Sequence, residues 1–257
     1  MQLLHYKIIG EGTPILIIHG LFGSLDNWQS IAKNLSLKHK VITIDLRNHG
    51  RSFHHEQMSF DDLNHDILYL LDYLKIEKTI IIGHSLGGKI GMNFATSFPD
   101  KVFKLIVVDV APYKYPPYHM KVFGALLAVP IETIDSRQEV ENIFRKHIDN
   151  ELEIQFLMKG LSRKEHGGFE WKFNLNVLYK EYLNLIQHIP LSRFNGPTLF
   201  IKGGLSDYIS IDKIQCISEL FPNYEIEEIK NSGHWVHADN PLIFIRVVQQ
   251  FITRLSQ

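Results

Sequence analysis

The chain has 257 residues, of which 45% are hydrophobic and 21% charged, and its formal net charge is −1. This length fits one large α/β domain or a domain with an insertion. The near-zero net charge disfavours nucleic acid and anionic membrane surfaces as partners. The single cysteine excludes an internal disulfide.

The N-terminal residues lack the basic start, apolar core and cleavage site of a signal peptide. Runs of apolar residues also stay well below the ~18 residues of a membrane span. We therefore expect a cytoplasmic protein without stable membrane association.

In chain order, short apolar runs alternate with segments of helical periodicity. Consecutive apolar, β-branched residues are typical of strands that are buried on both faces of a parallel sheet. The predicted strands are 14–20, 40–46, 78–84, 104–111, 197–204 and 224–229. The pattern predicts an α/β fold with a mostly parallel sheet flanked by helices.

The interval 112–195 interrupts this alternation. It begins with the proline-rich sequence APYKYPPYHM and continues with mostly helical periodicity. We predict a helical cap, or lid, inserted into a core formed by residues 1–111 and 196–257. The cap is expected to stand over the carboxyl ends of the strands and to move relative to the sheet.

A glycine-flanked serine follows the third predicted strand. Residues 83–87 read Gly-His-Ser-Leu-Gly, and a helical pattern comes next. A nucleophile elbow requires this spacing between a strand and a helix, because the flanking glycines leave room for a sharp turn. We predict Ser85 as the nucleophile.

A serine nucleophile needs a base, and the base needs an acid to fix its tautomer. His234 follows the last predicted strand and precedes the last helix, so it is the expected base. The other histidines in polar stretches, His119 among them, receive no role. Asp109 and Asp207 both end strands and both give the order Ser–Asp–His, so the residues alone leave the acid open.

The loop after the first long strand reads HGLFGS. The backbone N–H groups of Leu21 and Leu86, with Phe22 as a further candidate, are expected to form an oxyanion hole.

Four motifs together resemble the α/β-hydrolase superfamily: HGLFGSLDNW, DLRNHGRS, GHSLGG and GHWVHADNP. In particular, the chain is similar to the small bacterial carboxylesterases of the YbfF type along its whole length. The resemblance implies an α/β-hydrolase fold with the cap after the sixth strand. It also implies hydrolysis of small-molecule acyl esters or thioesters, including acyl-CoA-like ones, without cofactor or metal.

The resemblance bears on the acid as well. In the wider superfamily the acid usually stands at the position of Asp207, whereas the YbfF-like group commonly has only the equivalent of Asp109. This chain carries both, and the subgroup pattern favours Asp109. A lyase or carbon–carbon bond hydrolase that uses the same triad, and a ligand receptor without catalysis, stay open as alternatives. The sequence does not predict an oligomeric state.

Overall fold

The computed structural model of the chain describes residues 2–188 and 192–254. Its strands are β1 (Tyr6–Ile9), β2 (Pro14–Ile18), β3 (Lys40–Ile44), β4 (Thr79–His84), β5 (Val102–Val108), β6 (Leu161–Arg163), β7 (Phe169–Trp171), β8 (Thr198–Gly203) and β9 (Tyr224–Ile229). Seven of them form one sheet in the order β1-β3-β2-β4-β5-β8-β9, and β1 pairs antiparallel with β3. The other neighbours pair in parallel, so the α/β-hydrolase fold with a mostly parallel sheet is confirmed.

Helices cover both faces of this sheet. The α-helices of the described residues are α1 (Gln29–Leu35), α2 (Phe60–Tyr73), α3 (Leu86–Ser97), α4 (Met120–Leu127), α5 (Arg137–Phe144), α6 (Glu151–Met158), α7 (Leu175–Gln187), α8 (Ile211–Leu220), α9 (Val236–Asp239) and α10 (Pro241–Thr253), of which α4 to α7 belong to the insertion described below. No helix within the described ranges is long and apolar enough to cross a membrane.

The strand sequences are apolar at consecutive positions because their side chains enter two different cores. In β2, Ile15 and Ile17 pack with α1 and α10, whereas Leu16 and Ile18 point to the core that contains α2 and α3. Alternate side chains of a strand point to opposite faces, so a central strand must be apolar throughout. This second core continues into the helices that follow β5.

The region predicted as the cap lies between the neighbouring strands β5 and β8. It contains α4 to α7 and the antiparallel hairpin of β6 and β7, while its residues 189–191 lie outside the described part. The insertion follows the fifth strand of the chain and not the sixth. Before the insertion, the chain forms β1 and then the four parallel strands β2 to β5.

Several polar contacts fasten this insertion to the core. The Lys89 ammonium, on α3, donates to the carbonyls of Tyr113 and His188 at 2.9 and 2.6 Å, near the two ends of the insertion. The N–H of Asn174 donates to the carbonyl of Asn48 at 2.9 Å. These bonds hold the insertion against the same sheet edge at which Ser85 lies.

Candidate active site

Ser85 occupies the turn between β4 and α3 in a strained conformation. Its φ is 52° and its ψ is −117°, which is unfavourable for a residue with a side chain. A Cβ at Gly83 would lie 2.2 Å from the carbonyl oxygen of Gly87, and one at Gly87 would lie 2.3 Å from that of Ile18. The two flanking glycines are therefore required by the close approach of backbone at this turn.

His234 and Asp109 form an ion pair or a hydrogen bond beside this turn. His234 Nδ1 lies 2.7 Å from Asp109 Oδ2, and the Asp109 side chain is fully buried. If Nδ1 carries the proton and donates to the carboxylate, Nε2 is left as an acceptor, which is the tautomer that a general base needs. The imidazole also stacks on the Tyr208 ring, with the ring centroids 4.1 Å apart.

The Asp109 carboxylate is held by more than His234. Its Oδ1 accepts the N–H of Gly203 at 3.0 Å, and its Oδ2 accepts the hydroxyl of Ser206. Asp109 itself has a positive φ of 52° directly after β5. Hydrogen bonds of this kind stabilise an ionised carboxylate in a buried place.

Asp207 lies only one residue beyond Ser206, yet its environment differs. The residue is exposed, and its main-chain carbonyl, rather than its carboxylate, accepts a bond from Lys213 at 2.8 Å. Within the described ranges, the Asp207 carboxylate accepts no hydrogen bond and joins no ion pair. The geometry thus puts Asp109, and not Asp207, next to His234.

The predicted oxyanion donors come from two neighbouring turns. Leu86 is the first residue of α3, so its N–H has no acceptor within the helix. The N–H groups of Leu21 and Phe22 donate to no acceptor in the part of the chain that the structure describes. Phe22 has a positive φ of 61°, and a bond from the Gly23 N–H to the Gly20 carbonyl at 3.0 Å closes its turn.

A buried histidine fixes the first of these turns. His19 Nε2 accepts the N–H of Leu46 at 3.1 Å, so its Nδ1 carries the proton and donates to the Gly20 carbonyl at 2.8 Å. Burial lowers the pKa of His19 to about 4, against a weaker opposing effect of that bond. His19 is consequently neutral near pH 7 and acts as a rigid support of the turn.

Two further buried histidines support the loop of His234. His84 Nε2 lies 2.9 Å from the main-chain carbonyl of His234, and the His237 ring stacks on Trp28 with centroids 4.0 Å apart. Burial lowers the pKa of His84 well below its usual range and that of His237 to about 3, and proximity to His234 lowers both further. Both imidazoles are neutral near pH 7.

Ser85 lies where two cavities meet. The His234 cavity is lined by residues of the sheet edge together with His119, Glu153, Phe156 and Trp235. The tyrosine cavity is lined by Tyr115, Tyr118, Tyr182, Tyr208, Lys89 and several aliphatic side chains. Ser85, Leu21 and His119 belong to both linings, whereas His234 belongs only to the first.

Several residues of these walls were not predicted from the sequence, among them His119, Lys89 and Glu153. His119, which received no role, is half-buried, and its N–H and Nδ1 both lie 2.9 Å from the Tyr182 hydroxyl. Burial lowers its pKa to about 4. Lys89 and Glu153 also line the cavities. For Lys89 a signal existed, since it stands one helical turn after Ser85 and therefore on the same face.

No metal-binding cluster of three or more His, Cys, Asp or Glu side chains occurs in residues 2–188 and 192–254. The chemistry that the site offers is that of a serine hydroxyl, an imidazole base, a buried carboxylate and backbone N–H donors.

Comparison with known proteins identifies the family to which the chain belongs. Residues 13–129 match the family model of the α/β hydrolase fold. Esterase YbfF of Escherichia coli K12 is 35% identical over 94% of this chain and 94% of its own length. The sn-1-specific diacylglycerol lipase ABHD11 of Danio rerio is 37% identical over 95% of this chain and 79% of its own.

Among solved structures, a marine microorganism esterase superposes with a TM-score of 0.94 at 40% identity. The alignment covers 98% of this chain and 100% of that one. These similarities confirm the expected ester-hydrolase class. The chain belongs to the α/β-hydrolase family, among its esterases.

Proposed function

We propose that the protein is a serine carboxylesterase that uses Ser85, His234 and Asp109 as its catalytic triad. The observation that carries the proposal is the 2.7 Å contact between His234 Nδ1 and Asp109 Oδ2, beside a serine on a strained strand–helix turn. The substrates are small-molecule acyl esters, and thioesters are included because the same attack on a carbonyl carbon cleaves them.

In the first step, the Ser85 hydroxyl attacks the ester carbonyl while His234 Nε2 takes its proton. Asp109 stabilises the imidazolium that forms. The N–H groups of Leu21 and Leu86 stabilise the tetrahedral oxyanion, with Phe22 as a further donor. Within the described ranges the N–H groups of Leu21 and Phe22 have no acceptor, and that of Leu86 is at the start of a helix, so these donors are available for this purpose.

The leaving alcohol or thiol then takes the proton from His234. Because His234 lines only one of the two cavities, the leaving group occupies the His234 cavity and the acyl group occupies the tyrosine cavity. Water enters the vacated His234 cavity, loses its proton to His234 and attacks the acyl-enzyme, which releases the acid and restores Ser85.

Turnover of p-nitrophenyl butyrate and covalent labelling by a fluorophosphonate test this proposal. Ser85→Ala should abolish labelling and lower kcat by about 10⁵-fold or more, because nucleophile and base act as a unit. Ser218→Ala, at an exposed serine of α8, is the matched control and should behave as wild type.

Retention of most activity in Ser85→Ala with an unchanged thermal transition would refute the serine mechanism. Labelling of Ser85 without turnover of any ester in a panel of graded acyl length would favour the carbon–carbon hydrolase or lyase alternative. Absence of both labelling and turnover would favour the receptor alternative.

A further inference from the structure

Glu153 is a carboxylate at the substrate cavity that the proposed triad does not use. It lies in the first turn of α6, in the insertion, and lines the His234 cavity together with Ser85 and His234. Neighbouring walls are the aromatic rings of Phe156 and Trp235, whose centroids are 5.3 Å apart. The side chain is half-buried.

The Glu153 carboxylate has no protein partner within the described ranges: it accepts no hydrogen bond and joins no ion pair. Glu151, two residues earlier on the same helix, instead pairs with Arg145 on the surface. Burial raises the pKa of Glu153, and His234 is the neighbour that opposes this shift. A carboxylate without a partner at such a place loses hydration, which a bound hydrogen-bond donor would restore.

The position of Glu153 puts it beside the leaving group of the substrate and away from the acyl group. Under the proposed function, the group that leaves must lie within reach of His234, and therefore in the cavity that Glu153 lines. An acyl chain in the tyrosine cavity would not meet this carboxylate, because Glu153 is not part of that lining.

We propose that Glu153 is a specificity residue that binds a hydrogen-bond donor, an ammonium or a hydroxyl group, on the leaving alcohol. The site thereby prefers esters of amino alcohols or polyols over esters of apolar alcohols of equal size. A carboxylate or phosphate close to the ester oxygen is repelled. The aromatic walls add cation–π attraction for an ammonium group. This inference rests on the proposed esterase function.

Butyrate esters with one acyl group and matched alcohols test the inference, with kcat/KM measured by titration of the released acid. 2-(Dimethylamino)ethyl butyrate, whose protonated nitrogen carries one N–H, is paired with its neutral isostere, 3-methylbutyl butyrate, and 1-monobutyrin is paired with 2-methylbutyl butyrate. The proteins are wild type, Glu153→Leu, Glu153→Gln and the exposed control Glu151→Gln. Unchanged thermal transitions show that each variant is folded.

We expect wild type to prefer at least one donor-bearing ester over its isostere by about tenfold or more, since hydrogen bonds to charged groups are stronger than those between neutral groups. Glu153→Leu should abolish this preference while changing kcat/KM of the isosteres less than about threefold. Glu153→Gln should lose a preference for the ammonium ester but keep one for the glycerol ester, because an amide oxygen still accepts from a hydroxyl. Glu151→Gln should match wild type.

Equal losses for all four esters, with a displaced pH–rate profile, would overturn the inference and assign Glu153 a role through His234. Unchanged preferences in Glu153→Leu would also overturn it and leave Glu153 as a wall residue. Both results require an active wild-type enzyme. An inactive wild type without Ser85 labelling is the distinct outcome that refutes the proposed function itself.

Discussion

The candidate site has a sheet side, which carries Ser85 and Asp109, and an insertion side, which carries His119 and Glu153. The two sides are built in different ways. On the sheet side, Ser85 and Asp109 have positive φ angles, and Asp109 is fully buried with several hydrogen bonds. On the insertion side, His119 and Glu153 are half-buried, and the Glu153 carboxylate accepts no hydrogen bond within the described ranges. Buried contacts on the sheet side hold its side chains in one conformation. The insertion side instead borders the cavities with polar groups that are only partly paired.

This difference separates two tasks. Chemistry at Ser85 requires groups within a few tenths of an ångström of their working positions, and buried contacts provide this. Substrate selectivity instead requires a cavity wall whose side chains can be changed without disturbing the triad. Substitutions on the sheet side should therefore lower turnover of all esters alike, and those on the insertion side should change the ratios between esters.

Two glycine substitutions give the largest contrast in stability. Gly83→Ala should destabilise the fold by about 3 kcal/mol and lower kcat about 10²-fold, because its Cβ would meet the Gly87 carbonyl at 2.2 Å and displace Ser85. Gly124→Ala, in α4, has no atom within 4 Å of the added Cβ. This control should be neutral or stabilise by about 0.5–1 kcal/mol. Denaturant unfolding and kcat measure both effects, and equal behaviour of the two variants would contradict the contrast.

Buried histidines of the sheet side should make the fold sensitive to acid, and His237 is one of them. The pKa of His237 is about 3 in the folded protein, against about 6.5 in an unfolded chain. As the pH falls below 6.5, the unfolded chain gains a proton that the folded protein does not, so stability is lost. Between pH 7.5 and pH 5 this loss is about 2 kcal/mol for one such residue.

His237→Phe keeps a ring against Trp28 and removes the titrating group. Between pH 7.5 and pH 5, the free energy of unfolding should fall less for this variant than for wild type, and the difference should be about 2 kcal/mol. The control His166→Gln, at an exposed residue of the insertion, should follow wild type. Parallel curves for wild type and His237→Phe would show that His237 is not held neutral.

The sheet side was largely predictable from the sequence because its constraints are local. Apolar runs predict buried strands, glycines predict the turn at Ser85, and the carboxyl ends of parallel strands meet at one edge. These rules brought Ser85, His234 and two candidate acids to the same place. They could not choose between Asp109 and Asp207, because both follow strands and the difference depends on side-chain direction after the strand ends.

The insertion side was not predictable to this level. Its helical content follows from periodicity, but the contact of Glu153 with the cavity depends on how α6 packs over the sheet. His119 stands in a proline-rich, polar stretch that gives no sign of its contact with Tyr182. The sequence contains no rule that relates such residues to Ser85, since they come together only through tertiary packing.

The kcat/KM values of Asp109→Asn and Asp207→Asn on p-nitrophenyl butyrate test the central claim most directly. An amide at position 109 would donate to His234 Nδ1 and force the proton onto Nε2, so the base could no longer accept from Ser85. We predict a loss of about 10⁴-fold for Asp109→Asn and less than about tenfold for Asp207→Asn, with both variants folded. The reverse order of losses would show that Asp207 is the acid and would contradict the account of the triad.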